Sequence, residues 1–172
     1  MTPPVDGDAL RALQAPLKDR YRAHPDDAVI TLRAGGALGT GITCSVDTGQ
    51  TLARAGLHPA TGGDGTALCS GDMLLEALVA CAGVTLNAVA TALGIELRDA
   101  RVEAEGDLDV RGTLGVDREA PVRFRAIRLG VTAGTDADEE QMATLLRLTE
   151  RYCVVYQTIA SATSVSASLR VA

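Results

Sequence analysis

One segment limits the folds open to this chain. From Met73 to Ala90 it reads Met-Leu-Leu-Glu-Ala-Leu-Val-Ala-Cys-Ala-Gly-Val-Thr-Leu-Asn-Ala-Val-Ala, with Glu76 as its one charged residue. The run is too long for a strand. Its apolar residues fall all round a 3.6-residue period, so the spacing predicts a helix from about Gly71 to Leu93. Ser70 is placed to cap its start and Gly94 to stop it. A helix without a polar face must be covered on every side, by neighbouring elements or by a second subunit. Glu76, Gly83, Thr85 and Asn87 favour a core helix over a membrane span.

The rest of the chain supplies the cover. Its 172 residues are 47% hydrophobic but hold only one Phe, three Tyr and no Trp, so the core must be built from Ala, Leu, Val and Ile. This length suits one domain with a short appendage. The net charge of −6 argues against a nucleic-acid partner, whose phosphates call for a basic footprint. Arg123, Arg125 and Arg128 form a local cluster balanced by nearby acids. Asp6, Asp8 and prolines occupy the place of a signal peptide's apolar core, so a cytoplasmic location is expected.

Leu10, Leu13, Leu17 and Tyr21 recur at helical spacing and predict an amphipathic arm over residues 1–27, kinked or split at Pro16. The main domain is expected over 28–172. Ala28–Arg33 and Gly41–Val46 read as strands joined by a glycine-rich turn at Gly35 to Gly39. Residues 47–70 form a long polar stretch around His58, a length that is usually functional or partly structured. Residues 101–111 alternate as a half-exposed strand. A second strand, with Val122, Phe124 and Ala126 followed by Ile127, Leu129 and Val131, changes phase at 126/127, which signals a bulge. A helix from Asp138 to Tyr152 follows, then a short helix or turn over Cys153–Ala160. Val165, Ala167, Leu169 and Val171 suggest a last strand. The order describes an α+β domain with antiparallel sheet.

Cysteines stand at positions 44, 69, 81 and 153. None forms a Cys-x-x-Cys pair and there are only two histidines, so a zinc site is not expected. Cys81 lies mid-helix, and most such cysteines are small packing hydrophobes. Cys153, at the head of another apolar run, raises a different possibility. If the two thiols meet, one can attack a peroxide and the other can close a disulfide on the resulting sulfenic acid. The attacking thiol must then be partly ionised and accessible, which calls for a cationic neighbour.

The block Ser70-Gly-Asp-Met-Leu-Leu-Glu-Ala-Leu-Val-Ala-Cys81-Ala-Gly-Val-Thr-Leu resembles the central helix of the OsmC/Ohr family of hydroperoxide reductases, in which an acid and Leu-Leu lead into Ala-x-Cys. The apolar helix at Cys153 and the closing strand resemble that family's second cysteine region. The resemblance covers roughly residues 28–172. It implies antiparallel sheets around a long buried central helix, in an intertwined homodimer with sites at the subunit interface. It implies Cys81 as peroxidatic thiol and Cys153 as resolving thiol, with Asp72 as orienting acid. Arg33 is the nearest match to the thiolate-activating arginine, and Arg54 is a second candidate. The implied activity is reduction of organic hydroperoxides to alcohols under oxidative stress, with a lipoyl-type or small dithiol as reductant and no metal or organic cofactor. The alternative from another class is a dimeric OsmC-fold binding protein for a small molecule or thiol carrier, with little turnover. Asp72 and Cys81 are nine residues apart, about 13 Å along a helix, so Asp72 cannot touch Cys81 from one straight helix. Its blander role is to stabilise the helix dipole.

Overall fold

The computed structural model describes residues 7–38, 44–46, 55–66 and 68–169. The apolar segment forms a single helix, α2 (Ser70–Leu93), after the arm helix α1 (Gly7–Ala23). The cap of α2 is Cys69, with no side-chain bond, and Ser70 is already helical. Gly94 ends the helix in the left-handed region at φ 69°, and its N–H bonds back to Ala90 and Thr91. A residue with a Cβ is strained in that conformation.

A four-stranded antiparallel sheet runs in the order β2-β1-β5-β6. Its strands are β1 (Val29–Leu38), β2 (Cys44–Val46), β5 (Arg98–Asp109) and β6 (Phe124–Gly134). The glycines expected in a turn lie inside β1 instead: Gly35 pairs with Glu103, and Gly36 with Val102 and Val46. The continuous ladder to β5 holds them extended and moves the reversal beyond Leu38. The expected phase slip occurs at Arg125. Asp107 faces Ala126 while Leu108 faces Phe124, leaving Arg125 as the extra residue. This bulge returns Phe124 to the core side with Ile127, Leu129 and Val131.

Between β2 and α2 the long polar stretch is partly structured, as expected. β3 (Ala55–Gly56) pairs in parallel with β4 (Leu68–Cys69). A 3-10 turn at Pro59–Thr61 is capped by His58, whose Nδ1 accepts from the Ala60 N–H at 3.0 Å. After β5 comes a single helical turn, α3 (Val110–Thr113), and β6 leads to α4 (Glu139–Tyr152) and α5 (Val154–Ala160). The start of α4 is fixed by a reciprocal pair. Asp138 accepts from the Gln141 N–H at 2.8 Å, and Gln141 Oε1 accepts from the Asp138 N–H at 3.0 Å, which satisfies two otherwise orphaned donors.

Helix α2 lies across the sheet, with α4 and α5 beside it. Leu75, Leu78, Val79, Ala82, Leu86 and Ala90 form its buried face, packed with Val102 and Ala104 of β5, Leu145 of α4, and Cys153. The opposite face is only partly covered by this chain: Leu74 and Val84 are 40% and 38% exposed. By length and composition α2 alone among the described helices could cross a membrane, yet one side of it forms the main core cluster.

Two expectations differ from the structure. Helix α1 passes through Pro16 without a break. A proline removes one helical donor and crowds the previous turn, and here the surrounding turns carry the helix across it. Tyr21 anchors α1 to the 3-10 turn through its hydroxyl, which donates to the Ala60 carbonyl at 2.8 Å. The second difference is at the end of the chain. Ser164–Leu169 forms no strand within the described residues, and Val165 and Leu169 are 87% and 91% exposed. Alternation gives this segment an apolar side, but no described residue of this chain pairs with it.

Candidate functional site

Cys81 projects from the middle of α2, three helical turns from the Cys69 cap. Cys153 sits in the joint between α4 and α5. Its N–H still closes α4 by donating to the Thr149 carbonyl at 2.9 Å, while its φ and ψ of −72° and 108° leave the helical region. Its sulfur then caps α5, accepting from the Tyr156 N–H at 3.4 Å. One residue therefore ends one helix and starts the next. The new helix presents the Val154 and Val155 N–H groups, which have no partner inside the first turn.

Those groups bear on the ionisation of Cys81. Burial pushes the Cys81 thiol up. The Val155 N–H, the Cys153 thiol, the Val154 N–H and the Thr85 hydroxyl outweigh it and hold the thiol below its ordinary value of 9.0. The Thr85 share is the smallest, and its hydroxyl donates to the Cys81 carbonyl at 2.8 Å. Cys153 is shifted the other way. Burial first, then the hydrogen bonding and charge of Cys81, raise it to about 11 against the Tyr156 N–H. Cys153 is fully buried and Cys81 partly exposed. The pair therefore divides unequally. Of the two, Cys81 is the thiol that ionises more readily, where solvent can reach it, and Cys153 is the one that holds its proton. This arrangement suits nucleophilic attack by Cys81, because the thiolate is the reactive form.

The structure describes the other residues singled out in the sequence only in part. Asp72 is in the first turn of α2, where burial raises its carboxyl and the neighbouring His58 charge lowers it. Arg33 stands on β1 opposite Glu105, and its side chain falls outside the described residues, as does all of Arg54. Cys69, partly exposed, lines a cavity of about 440 Å³ with His58 and Thr61. Cys44 pairs with Leu38 in β2. Among the described residues no group of three or more His, Cys, Asp or Glu is placed to hold a metal ion.

Sequence reasoning missed the Val154 and Val155 N–H groups, because backbone donors leave no mark in residue type. Thr85 was readable: it lies one turn beyond Cys81, at the i+4 spacing that puts two side chains on one helix face.

A family model described as OsmC-like protein matches residues 63–168, a span that includes α2, β5, β6, α4, α5 and both cysteines of the pair. The chain belongs to the OsmC-like family. Two solved structures carry the same fold. One is an OsmC-like hydroperoxide resistance protein from Jannaschia sp. CCS1, 15% identical, with a TM-score of 0.62 over 84% of this chain and 95% of that one. The other is an OsmC-like protein from Mycoplasma pneumoniae, also 15% identical, with a TM-score of 0.55 over 78% of this chain and 86% of that one. No curated protein matches by sequence. At these identities the likeness establishes the OsmC-like fold, with its mixture of helices and antiparallel sheet.

Proposed function

We propose that this OsmC-like protein is a thiol-dependent peroxide reductase that converts organic hydroperoxides to alcohols. The observation that carries the reading is the unequal thiol pair. Cys81 is partly exposed with its thiol held below the ordinary value, and Cys153 is buried with its thiol raised, each acting on the other's ionisation. In the first step Cys81 Sγ attacks the outer oxygen of the O–O bond. The bond breaks, the alkoxide takes a proton and leaves as alcohol, and Cys81 becomes a sulfenic acid. In the second step Cys153 Sγ attacks the sulfenic sulfur, hydroxide leaves as water with the Cys153 proton, and a disulfide forms. An external dithiol, lipoyl-type or small, restores both thiols by exchange. Sulfur carries every electron, so the cycle needs no metal or organic cofactor.

The same reading takes Arg33 as an additional cation for the thiolate and Asp72 as the acid that orients it. It takes the working form as a homodimer in the cytoplasm. The half-covered face of α2, with Leu74 and Val84, supports a second copy as its cover. Apolar side chains packed in the same core cluster as the two cysteines, including Leu78 and Ile159, favour organic hydroperoxides over hydrogen peroxide.

The test is one equivalent of cumene hydroperoxide added to the reduced protein, with non-reducing mass spectrometry of the peptides. A Cys81–Cys153 disulfide in the wild type, a trapped sulfenic acid in Cys153→Ser and no hydroperoxide consumption in Cys81→Ser are expected. Two intact thiols after treatment would instead leave the binding-protein alternative standing.

A further inference from the structure

Cys153 does two structural jobs with different atoms. Its backbone closes α4, the N–H donating to the Thr149 carbonyl at 2.9 Å. Its side chain opens α5, the sulfur accepting from the Tyr156 N–H at 3.4 Å. Helix α4 has other supports: Leu145 and Thr149 are fully buried, and a capping box fixes its far end. Helix α5 has few. It is seven residues long and none of them is buried, and a helix this short does not hold by propensity. Val155, Tyr156 and Ile159 pack in part against the main core cluster, and Gln157 Nε2 donates to the Glu150 carbonyl at 2.8 Å. Residues 161–169 follow without helix or strand, and Val165 and Leu169 stand in solvent.

The sulfur that caps α5 is the one that the proposed reaction consumes. A disulfide needs its two sulfurs about 2 Å apart and its Cβ atoms about 3.8 Å apart. Cys81 belongs to α2, outside the α4–α5 joint. Cys153 must therefore turn its sulfur away from the first turn of its own helix and toward α2. Once bonded, that sulfur has no thiolate form and accepts only weakly. The Tyr156 N–H is then left without its partner, and α5 loses the tie that fixes its start.

We infer that Cys153 is a redox-sensitive hinge: closing the disulfide to Cys81 uncaps α5 and loosens it together with residues 161–169, while α4 keeps its end. The inference rests on the reading of Cys81 and Cys153 as the redox pair. The hydroperoxide is the oxidant. Its O–O bond takes two electrons from the two thiols, one alcohol and one water leave, and an S–S bond replaces two S–H bonds. Cys153 stays in the core, held by its backbone bond to Thr149. The loosened helix draws Val155, Tyr156 and Ile159 off the core cluster that Cys81 also packs against. The oxidised site is thus more open to an incoming dithiol than the reduced one. Reduction returns the Cys153 sulfur to the Tyr156 N–H and closes the helix again.

The test is amide hydrogen exchange, read by NMR, on the reduced protein and on protein oxidised in two ways. One sample receives one equivalent of cumene hydroperoxide. The other receives diamide, an azo compound that takes two electrons and two protons from a thiol pair. Peptide mapping verifies the Cys81–Cys153 disulfide in each. Oxidation is expected to speed exchange at Tyr156, Gln157 and Ser161 about three- to fivefold, the lower part of the range for a lost cap. Leu145 and Thr149 in α4 should be unchanged. Reduced Cys153→Ala, which cannot close the disulfide, should show the same rise. Reduced Cys153→Ser, whose hydroxyl can cap, should exchange at Tyr156 like the wild type. Equal rates in oxidised and reduced wild type overturn the inference, as does a rise spread evenly over α2 and α4. So does Cys153→Ala at the wild-type rate, or a Cys81–Cys153 pair that neither oxidant closes. A disulfide made by diamide and not by the hydroperoxide defeats the peroxidase reading alone. The exchange rates of the diamide-treated protein then decide the hinge.

Discussion

Cys81 and Cys153 act on each other's ionisation from unlike environments: the first is partly exposed and its thiol is held below its ordinary value, the second is buried in the core and its thiol is pushed up. The asymmetry comes from the α4–α5 joint, which buries one sulfur while turning two backbone N–H groups toward the other.

The first prediction concerns that asymmetry directly. Iodoacetamide should modify Cys81 with a pH midpoint below 9.0 and leave Cys153 untouched until the protein unfolds. Cys153→Ala removes a donor that lowers Cys81, so its midpoint should move up. Cys153→Ser keeps a donor and should move it less. Peptide mapping of the alkylated protein at a series of pH values reads both effects.

Acid stability should depend on an ion pair far from the thiols. Hydrogen bonds from Arg128 and Thr31 hold the Asp107 carboxyl at about 2, below its ordinary 3.8. A carboxylate depressed by folding adds stability that is complete above the unfolded value. It is lost as pH falls from about 3.8 through about 2, because protonation then favours the unfolded chain. Arg128→Gln should therefore lower stability most near neutral pH, and its difference from wild type should shrink as pH falls from about 3.8 to about 2, as urea midpoints followed by circular dichroism at a series of pH values would read.

The packing of α4 on α2 rests heavily on Leu145, which is fully buried in the main core cluster. Leu145→Ala should cost about 2–5 kcal/mol, transfer and cavity together. Urea denaturation followed at two wavelengths gives the value. A cost below 1 kcal/mol would mean that the neighbouring side chains collapse into the space.

Gly63 is tied to its position by sterics. A Cβ placed there would lie 1.7 Å from the Leu57 carbonyl oxygen, a backbone atom that cannot swing aside. Gly63→Ala should destabilise the protein by about 1–3 kcal/mol and loosen the His58 turn. Amide exchange at Thr61, whose N–H donates to the His58 carbonyl at 2.8 Å, should speed up as well.

Much of this molecule was readable from patterns that physics makes periodic. The all-apolar run gave α2 almost to the residue, and the phase change on the last sheet strand gave the bulge within two positions. The extent of β1 was not readable, since its glycines are extended only because β5 supplies a ladder. The closing alternation misled for a related reason: a strand needs a partner edge, and alternation does not say where that edge is. At the site, the two cysteines and Thr85 left marks in residue type and spacing. The donors that bias Cys81 did not, because they belong to the backbone of a helix whose first residue is fixed by a thiol cap.

The complete burial of Cys153 also dictates the direction of traffic through any disulfide this protein forms. An incoming reductant meets just one of the two sulfurs, so exchange must open at Cys81 and expel Cys153 inward. A thiol with so high a proton affinity departs slowly, and its way out is eased only by the Tyr156 N–H that already rests on its sulfur. Recycling is then paced from inside the core, whatever dithiol arrives at the surface.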